Sequence, residues 1–311
     1  MPPIERQNRF RADLERLTEG KCRIGIALSG GPDSLALLLL ANATLGNQIA
    51  AATVDHGLRR EAIGEAQFAG SICADLGIAH SILKPQNPIT GNLQSSARTA
   101  RYGLLEEWAD RESVDWIATA HHADDQAETL LMRLNRGSGV AGLAGVRPRN
   151  GRVIRPLLSW RRSELAEIVD AAGITPVDDP SNRDDRYDRA RLRKVLAGKD
   201  WLDPAAAARS AAALAEAELA LDWAATSTAN RRTAFANGIV SFDPRGLPRE
   251  LLRRIVLICL RRFMADADPR GDDLDRLMIG LSEGRVATLA GVKCTGGDFW
   301  LFSMAPPRRG N

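Results

Sequence analysis

Residues 22–34 read CRIGIALSGGPDS. CRIGIALS (22–29) is a continuous apolar strand. It breaks at serine, two glycines and proline, and a leucine-rich helix follows from Asp33 to about Gly46. Apolar residues at consecutive rather than alternate positions mark a strand buried on both faces, as in a parallel sheet covered by helices. At the turn, Gly30 and Gly31 let the backbone approach an anion, and the helix offers unpaired N–H groups and its positive dipole end. Ser29 and Ser34 add hydroxyl donors. Asp33 beside a phosphate calls for a bridging divalent cation; the plainer reading makes it a helix cap. The common phosphate loop ends in Gly-Lys-Ser or Gly-Lys-Thr, and neither tripeptide occurs in the chain. The loop therefore holds an anion without that lysine.

Outward from this turn, the first 170 residues alternate strand and helix. Strands are expected at 48–56, 79–84, 116–121 and 153–158, with helices at 61–77, 93–112, 124–136 and 163–173. Such alternation predicts an α/β fold with a parallel sheet, whose ligands sit at the carboxyl ends of the strands. SGGPDS, VDHGLR (54–59) and AHHADD (120–125) all begin where a strand ends. Beyond Asp200 the composition shifts. An alanine-rich helix opened by Pro204 covers 204–225, helices follow near 247–265 and 271–283, and 287–302 reads as two short strands around a Gly-Gly turn.

The bulk properties exclude several classes. At 311 residues and 44% hydrophobic, the chain can bury a large core and divide into two domains. A net charge of +3 identifies no partner by itself. The polar start MPPIERQNRF does not read as a secretory signal, and no apolar run approaches the roughly 18 residues of a membrane span. Cys22, Cys73, Cys259 and Cys294 lie far apart, without a C-x-x-C pair. That spacing suits reduced thiols in a cytoplasmic protein, not a disulfide framework, a zinc site or a sulfur cluster.

AHHADDQAET (120–129) is the second informative stretch. His121 stands at a strand end, and Asp125 and Glu128, three apart on a helix, share a face. Carboxylates in a first helical turn often serve only as caps, and that reading fits Asp124. GSGVAG (137–142) matches the dinucleotide pattern letter for letter. It follows a helix, however, and no acid stands near the expected position, so it reads as a mobile glycine loop and not a NAD site. Residues 147–162 carry Arg147, Arg149, Arg152, Arg155, Arg161 and Arg162 with no acid, and 183–194 hold six basic and three acidic side chains around Tyr187. Charge runs are commonly solvated faces, but arginine-rich ones beside a site also suit phosphate-backbone contact.

Taken in order, SGGPDS, VDHGLR, ARTARY (97–102), AHHADDQAET, NRGSGVAGLAGV (135–146), RPLL (155–158) and DDPSNRDDRYDR (178–189) resemble the tRNA(Ile)-lysidine synthetase family. That family belongs to the N-type ATP pyrophosphatase, or PP-loop, superfamily. SGGPDS alone points to the superfamily; the ordered set over roughly 22–194 points to the family. The resemblance implies a Rossmann-like doubly wound parallel sheet over residues 1–199 as catalytic domain. A smaller, mainly helical domain, 200–311, would contact tRNA.

It also implies a reaction. ATP adenylates the carbon-2 oxygen of the wobble cytidine in tRNA(Ile) with a CAU anticodon, and the side-chain amine of free lysine displaces AMP. Ser29, Gly30, Gly31, Pro32, Asp33 and Ser34 would hold pyrophosphate, with Asp33 on Mg2+. Asp55 and His56 would border the adenosine, Arg101 and His121 the reacting phosphate, and Asp125 with Glu128 the lysine. Arg155, Asn182, Tyr187, Arg189, Arg191 and Arg193 would contact tRNA. No membrane partner is expected, and a homodimer stays open. The chain departs from the family pattern at Ala190, where asparagine usually follows the arginine, and in lacking the further C-terminal domain of longer members. Two other readings share parts of the pattern: a PP-loop tRNA 2-thiolation enzyme, whose relatives typically carry paired cysteines, and a nucleotide-binding module without catalysis.

Overall fold

The computed structural model of the chain describes residues 1–20, 22–55, 61–85, 93–177, 188–196 and 201–306. They fall into two compact units, Met1–Ala215 and Glu216–Asn311.

The first unit is built on a six-stranded sheet. Its strands are β1 (Ile24–Ala27), β2 (Ile49–Val54), β3 (His80–Leu83), β4 (Trp116–Ala118), β5 (Arg149–Asn150) and β6 (Val153–Ile154). The order is β3-β2-β1-β4-β6-β5, all parallel except the β5–β6 edge hairpin. The chain leaves β1 toward β2 on one side and returns to β4 on the other. Between β1 and β4 the connections therefore diverge, and the crevice at their carboxyl ends is the place where such a sheet accepts a ligand. The strand expected over 153–158 stops at Ile154, and Leu158 and Trp160 close turns onto Arg155 and Leu157.

Burial follows the sequence pattern. Helix α2 (Pro32–Leu45) is apolar nearly all round, and Leu35 through Leu40 are buried as the centre of the largest core cluster. Each buried leucine contributes roughly 1.5–3 kcal/mol. On the other sheet face, Trp108 of α4 (Leu93–Arg111) lies against β1, where a Cβ on Gly25 would stand 2.6 Å from its ring. A side chain at position 25 and the tryptophan could not both fit. Helix α1 (Ile4–Glu15) was not apparent in the sequence. It buries Phe10 and Leu14, and its buried Asp13 accepts a 2.8 Å hydrogen bond from Trp160 Nε1. The remaining helices of this unit are α3 (Glu61–Asp75), α5 (Ala123–Leu134), α6 (Val140–Leu143), α7 (Arg162–Ala171) and α8 (Asp188–Leu196). Helix α9 (Pro204–Arg232) begins here and runs into the second unit.

The second unit adds α10 (Arg249–Arg261) and α11 (Gly271–Ser282) to a five-stranded antiparallel sheet, order β7-β8-β11-β10-β9. Its strands are β7 (Thr233–Ala236), β8 (Ile239–Phe242), β9 (Val286–Leu289), β10 (Val292–Thr295) and β11 (Trp300–Met304). The sheet is larger than the two strands expected over 287–302. That stretch holds three strands, with one turn at Ala290–Gly291 and a second at Gly296–Gly297. A further hairpin turns at Asn237–Gly238, both with positive φ. Arg254, inside the apolar face of α10, is satisfied by Glu218, Asp222 and Glu250. Among the described residues, no helix is long and apolar enough to cross a membrane.

Candidate active site

The loop after β1 is tied by its own hydroxyls. Ser34 Oγ donates to the Gly31 carbonyl at 3.0 Å, accepts from Ser29 N at 3.1 Å and lies 3.1 Å from Ser29 Oγ. Gly30 has φ +79°, which a side chain would resist, and its carbonyl accepts from Val177 N at 3.1 Å. Gly31 is the N-cap of α2 and Pro32 its first residue, so the amides that follow in the first turn lack an intrahelical partner and suit an anion.

Beside this loop lies the start of α5, brought there because β4 pairs directly with β1. The residue that joins the two is His122, not His121. His122 is buried and caps α5, accepting from Asp125 N at 3.4 Å, while its own N–H donates to Asp125 Oδ2 at 3.1 Å. Its Nε2 stands 3.4 Å from Asp33 Oδ2 and 3.6 Å from Asp125 Oδ2, and Nδ1 stands 3.7 Å from Asp124. Burial pushes its pKa down, but the close approach of Asp33 and the charges of Asp125, Asp33 and Asp124 outweigh it and hold it above the usual value. Protonation would cost His122 the acceptor role of Nδ1. At 3.4 Å that contact contributes little against three carboxylates.

The expected carboxylate pair is present. Burial pushes Asp125 up, yet the charges of His122 and Arg189 and the His122 backbone N–H bring it below the usual value. Glu128 behaves oppositely: burial raises it, and the contacts to Arg193 only partly offset this. Asp124 lies in the first turn of α5 but reaches another helix. Its Oδ2 accepts from Arg162 N at 2.8 Å, at the start of α7.

The arginines of α8 lie on these carboxylates. Arg193 Nε is 2.5 Å from Glu128 Oε1 and its Nη2 3.3 Å from Asp125 Oδ1, while Arg189 Nε is 3.1 Å from Glu128 Oε2. Arg191 faces solvent and pairs with Asp188, which also receives Arg136.

A third group is cationic. His121 Nδ1 lies 3.0 Å from Thr119 Oγ1, and burial, opposed by Asp125 but helped by Arg155, Arg101 and Arg98, pushes its pKa down to about 4. It is a neutral imidazole at neutral pH. Burial likewise lowers Arg101, whose guanidinium lies over Tyr102. Arg155 follows β6, next to β4, and is only 4% exposed; its Nη1 donates to the Arg147 carbonyl at 2.7 Å. Its side chain thus faces this interior group and not an outer surface, where contact with a tRNA backbone had been expected. Asp55 is buried at the end of β2 with Lys84 Nζ 3.4 Å away. His56, Asn182 and Tyr187 lie outside the described residues.

Sequence reasoning missed His122, Gln126 and Val177. Gln126 is buried and grips the glycine-rich stretch with two bonds, Nε2 to the Val146 carbonyl at 2.8 Å and Val146 N to Oε1 at 2.7 Å. With α6 inside it, that stretch is anchored, contrary to the expected mobile loop. Among the described residues, no cluster of three or more histidine, cysteine or acidic side chains is arranged to hold a metal unaided. Asp33 still fits a magnesium ion. Its Oδ1 is buried without a hydrogen-bond partner, and such ions keep most of their waters while taking one or two carboxylates and substrate phosphates.

The fold and this loop define a PP-loop ATP-binding enzyme, and a family described as PP-loop domain matches residues 5–199. The chain is 43% identical to a tRNA(Ile)-lysidine synthase of Zymomonas mobilis over 92% of this chain and 90% of that protein. It is 45% identical to one of Novosphingobium aromaticivorans over 97% and 94%. The chain belongs to the tRNA(Ile)-lysidine synthase family. Among solved structures, a U34-tRNA thiolase from Methanococcus maripaludis is similar at TM-score 0.57 and 20% identity, covering 68% of this chain and 78% of that one; this likeness concerns the fold alone.

Proposed function

We propose that the chain ligates free lysine to carbon-2 of the wobble cytidine of a tRNA(Ile) with a CAU anticodon, at the expense of ATP. The observation that carries this reading is the junction at His122, which sets the anion loop and the Asp125–Glu128 pair side by side. The loop amides and the hydroxyls of Ser29 and Ser34 take the β- and γ-phosphates. Asp33 holds magnesium, which when bound supplies positive charge against the leaving pyrophosphate. Arg101 and neutral His121 face the α-phosphate and stabilise charge there as the cytidine oxygen attacks.

Lysine then meets Asp125 and Glu128. A lysine side-chain ammonium in water has a pKa near 10.4, so deprotonation at pH 7 costs about 4.6 kcal/mol. The two carboxylates divide the task. Asp125, held low, stays charged and orients the ammonium; Glu128, held high, takes the proton. A thiolation reading is disfavoured by the cysteines. Cys73, Cys259 and Cys294 are buried and burial pushes them to about 11, 12 and 12, while Cys22 precedes β1, at the opposite edge of the sheet from the loop.

Glu128→Gln should raise the Michaelis constant for lysine about ten-fold or more, the scale of one charge-assisted contact. ATP–pyrophosphate exchange in the presence of tRNA should persist. Loss of exchange with unchanged lysine dependence would move Glu128 to the ATP side and sink the assignment.

A further inference from the structure

The carboxylate pair that should receive an ammonium already faces cations. Asp125 Oδ1 faces Arg193 and Oδ2 accepts the His122 N–H; Glu128 Oε1 faces Arg193 and Oε2 faces Arg189. The two acids are 13% and 8% exposed at their side chains, whereas Arg193 and Arg189 are 26% and 40% exposed. In each pair the guanidinium is thus the more exposed partner. Two cations cannot share one carboxylate oxygen at contact distance without strong repulsion. A guanidinium that faces two acids offsets the charge of both, so the pair attracts a further cation less.

The same arginines come from the basic run whose pattern suits tRNA phosphates. Arg189 and Arg193 stand four apart on α8, hence on one face, with Arg191 on the other side against Asp188. One helix thus offers the same guanidiniums to two anions, the Asp125–Glu128 pair and a polynucleotide. A phosphate backbone carries a dense line of negative charge and competes well for arginine.

We infer that Arg189 and Arg193 are specificity-determining residues of the lysine site: they occupy Asp125 and Glu128 until tRNA draws them off, so that lysine is admitted only to the tRNA-loaded enzyme. This rests on the lysine-binding reading of the two carboxylates. No covalent step is involved; ion pairs exchange partners, and the number of charges is conserved. Lysine itself then completes the carboxylates that the arginines vacate. In the absence of the correct polynucleotide, amines in solution find the pair closed.

The test is lysine affinity measured by calorimetry without ATP, on the full chain, with and without a transcript of the tRNA. The wild type should bind lysine at least about ten-fold more tightly with saturating tRNA. The double variant R189Q/R193Q should bind lysine without tRNA at least about ten-fold more tightly than the wild type, the factor set by releasing one charge-assisted contact. R193K, which keeps a cation at the pair, should stay as weak as the wild type. Should the double variant fail to fold, R193Q alone serves, and its gain should be in the same direction. No gain in tRNA-free affinity, or a wild-type affinity indifferent to tRNA, would overturn the inference. E128Q, measured in the tRNA complex, separates the two levels. If it weakens lysine while the arginine variants gain nothing, only the latch fails. If it leaves lysine affinity unchanged, the carboxylate assignment fails and the latch with it.

Discussion

Gly145→Ala tests how firmly the glycine-rich stretch is fixed to the helix that carries the carboxylates. Gly145 has φ +66°, and a Cβ there would stand 2.4 Å from Gln126 Oε1 and 3.3 Å from its Cδ. Two costs follow. The left-handed backbone strains alanine by roughly 1–2 kcal/mol. Gln126 must also swing away, which breaks its bonds to Val146 N and to the Val146 carbonyl, at 2.7 and 2.8 Å. Each bond contributes about 0.5–1.5 kcal/mol. The variant should therefore lose about 2–5 kcal/mol from the first unit. Gln126→Ala alone loses the two bonds and relieves the clash in advance. In the double variant, Gly145→Ala should then add only the backbone strain, about 1–2 kcal/mol. The assay is urea unfolding followed by tryptophan fluorescence, since Trp108 and Trp160 are buried in this unit. Strict additivity of the two substitutions, or a loss under about 1 kcal/mol in Gly145→Ala, would refute the clamp.

Two further outcomes follow from the site. Asp33→Ala should abolish tRNA-dependent AMP formation while the protein still folds, because the side chain is 30% exposed and its one close partner among the described residues is His122; AMP release at the wild-type rate would remove Asp33 from the pyrophosphate loop's chemistry. His121 makes stability depend on pH. Its pKa in the fold is about 4, below the unfolded value of 6.5, so its contribution is fully present above pH 6.5 and is lost as pH falls toward 4. The loss amounts to about 3 kcal/mol, at about 1.36 kcal/mol for each pH unit between the two values. The difference in unfolding free energy between wild type and His121→Asn should slope between pH 6.5 and 4 and be flat above; a flat difference throughout would show that His121 is not a buried neutral histidine.

How much was legible in the sequence depended on how local the signal is. Strands β1 and β4 are unbroken apolar runs, β2 is one but for Thr53, and α2 is apolar nearly all round, so burial was written in composition. Helix α1 was missed because IERQNRFRADLE buries only Phe10, Leu14 and the hydrogen-bonded Asp13; its attachment is made by Trp160, 147 positions on. The Asn237–Gly238 turn carries a recognisable hairpin pair, flanked by TAFA and IVSF, and went unread. The turn at Ala290 had no such signal, since alanine at φ +48° is not what that conformation selects. In the site, Ser29–Ser34, Asp125 and Glu128 could be found because each stands at a strand end. His121 and His122 could not be told apart. Which of two adjacent histidines turns toward the carboxylates depends on where β4 ends and α5 is capped, and that is decided by pairing with β1 and β6. The Arg193–Glu128 contact spans 65 positions and has no sequence signature at all.

The geometry also explains why these groups tolerate one another. Asp33, His122, Asp125, Arg193, Glu128 and Arg189 form a row in which acidic and basic side chains alternate, with separations of 3.4, 3.6, 3.3, 2.5 and 3.1 Å. Partly buried carboxylates so close together would otherwise shift toward neutrality. Neutral acids could neither hold a metal ion nor orient an amine. The row is balanced without substrate, so each arrival must be matched by a departure or bring its own counter-charge. A magnesium ion held by Asp33 would come with its own phosphate counter-charge and would need no exchange. A lysine ammonium brings no anion to the far end of the row. It can enter only where a cation leaves, and the outermost cations, Arg189 and Arg193, are the ones carried on α8.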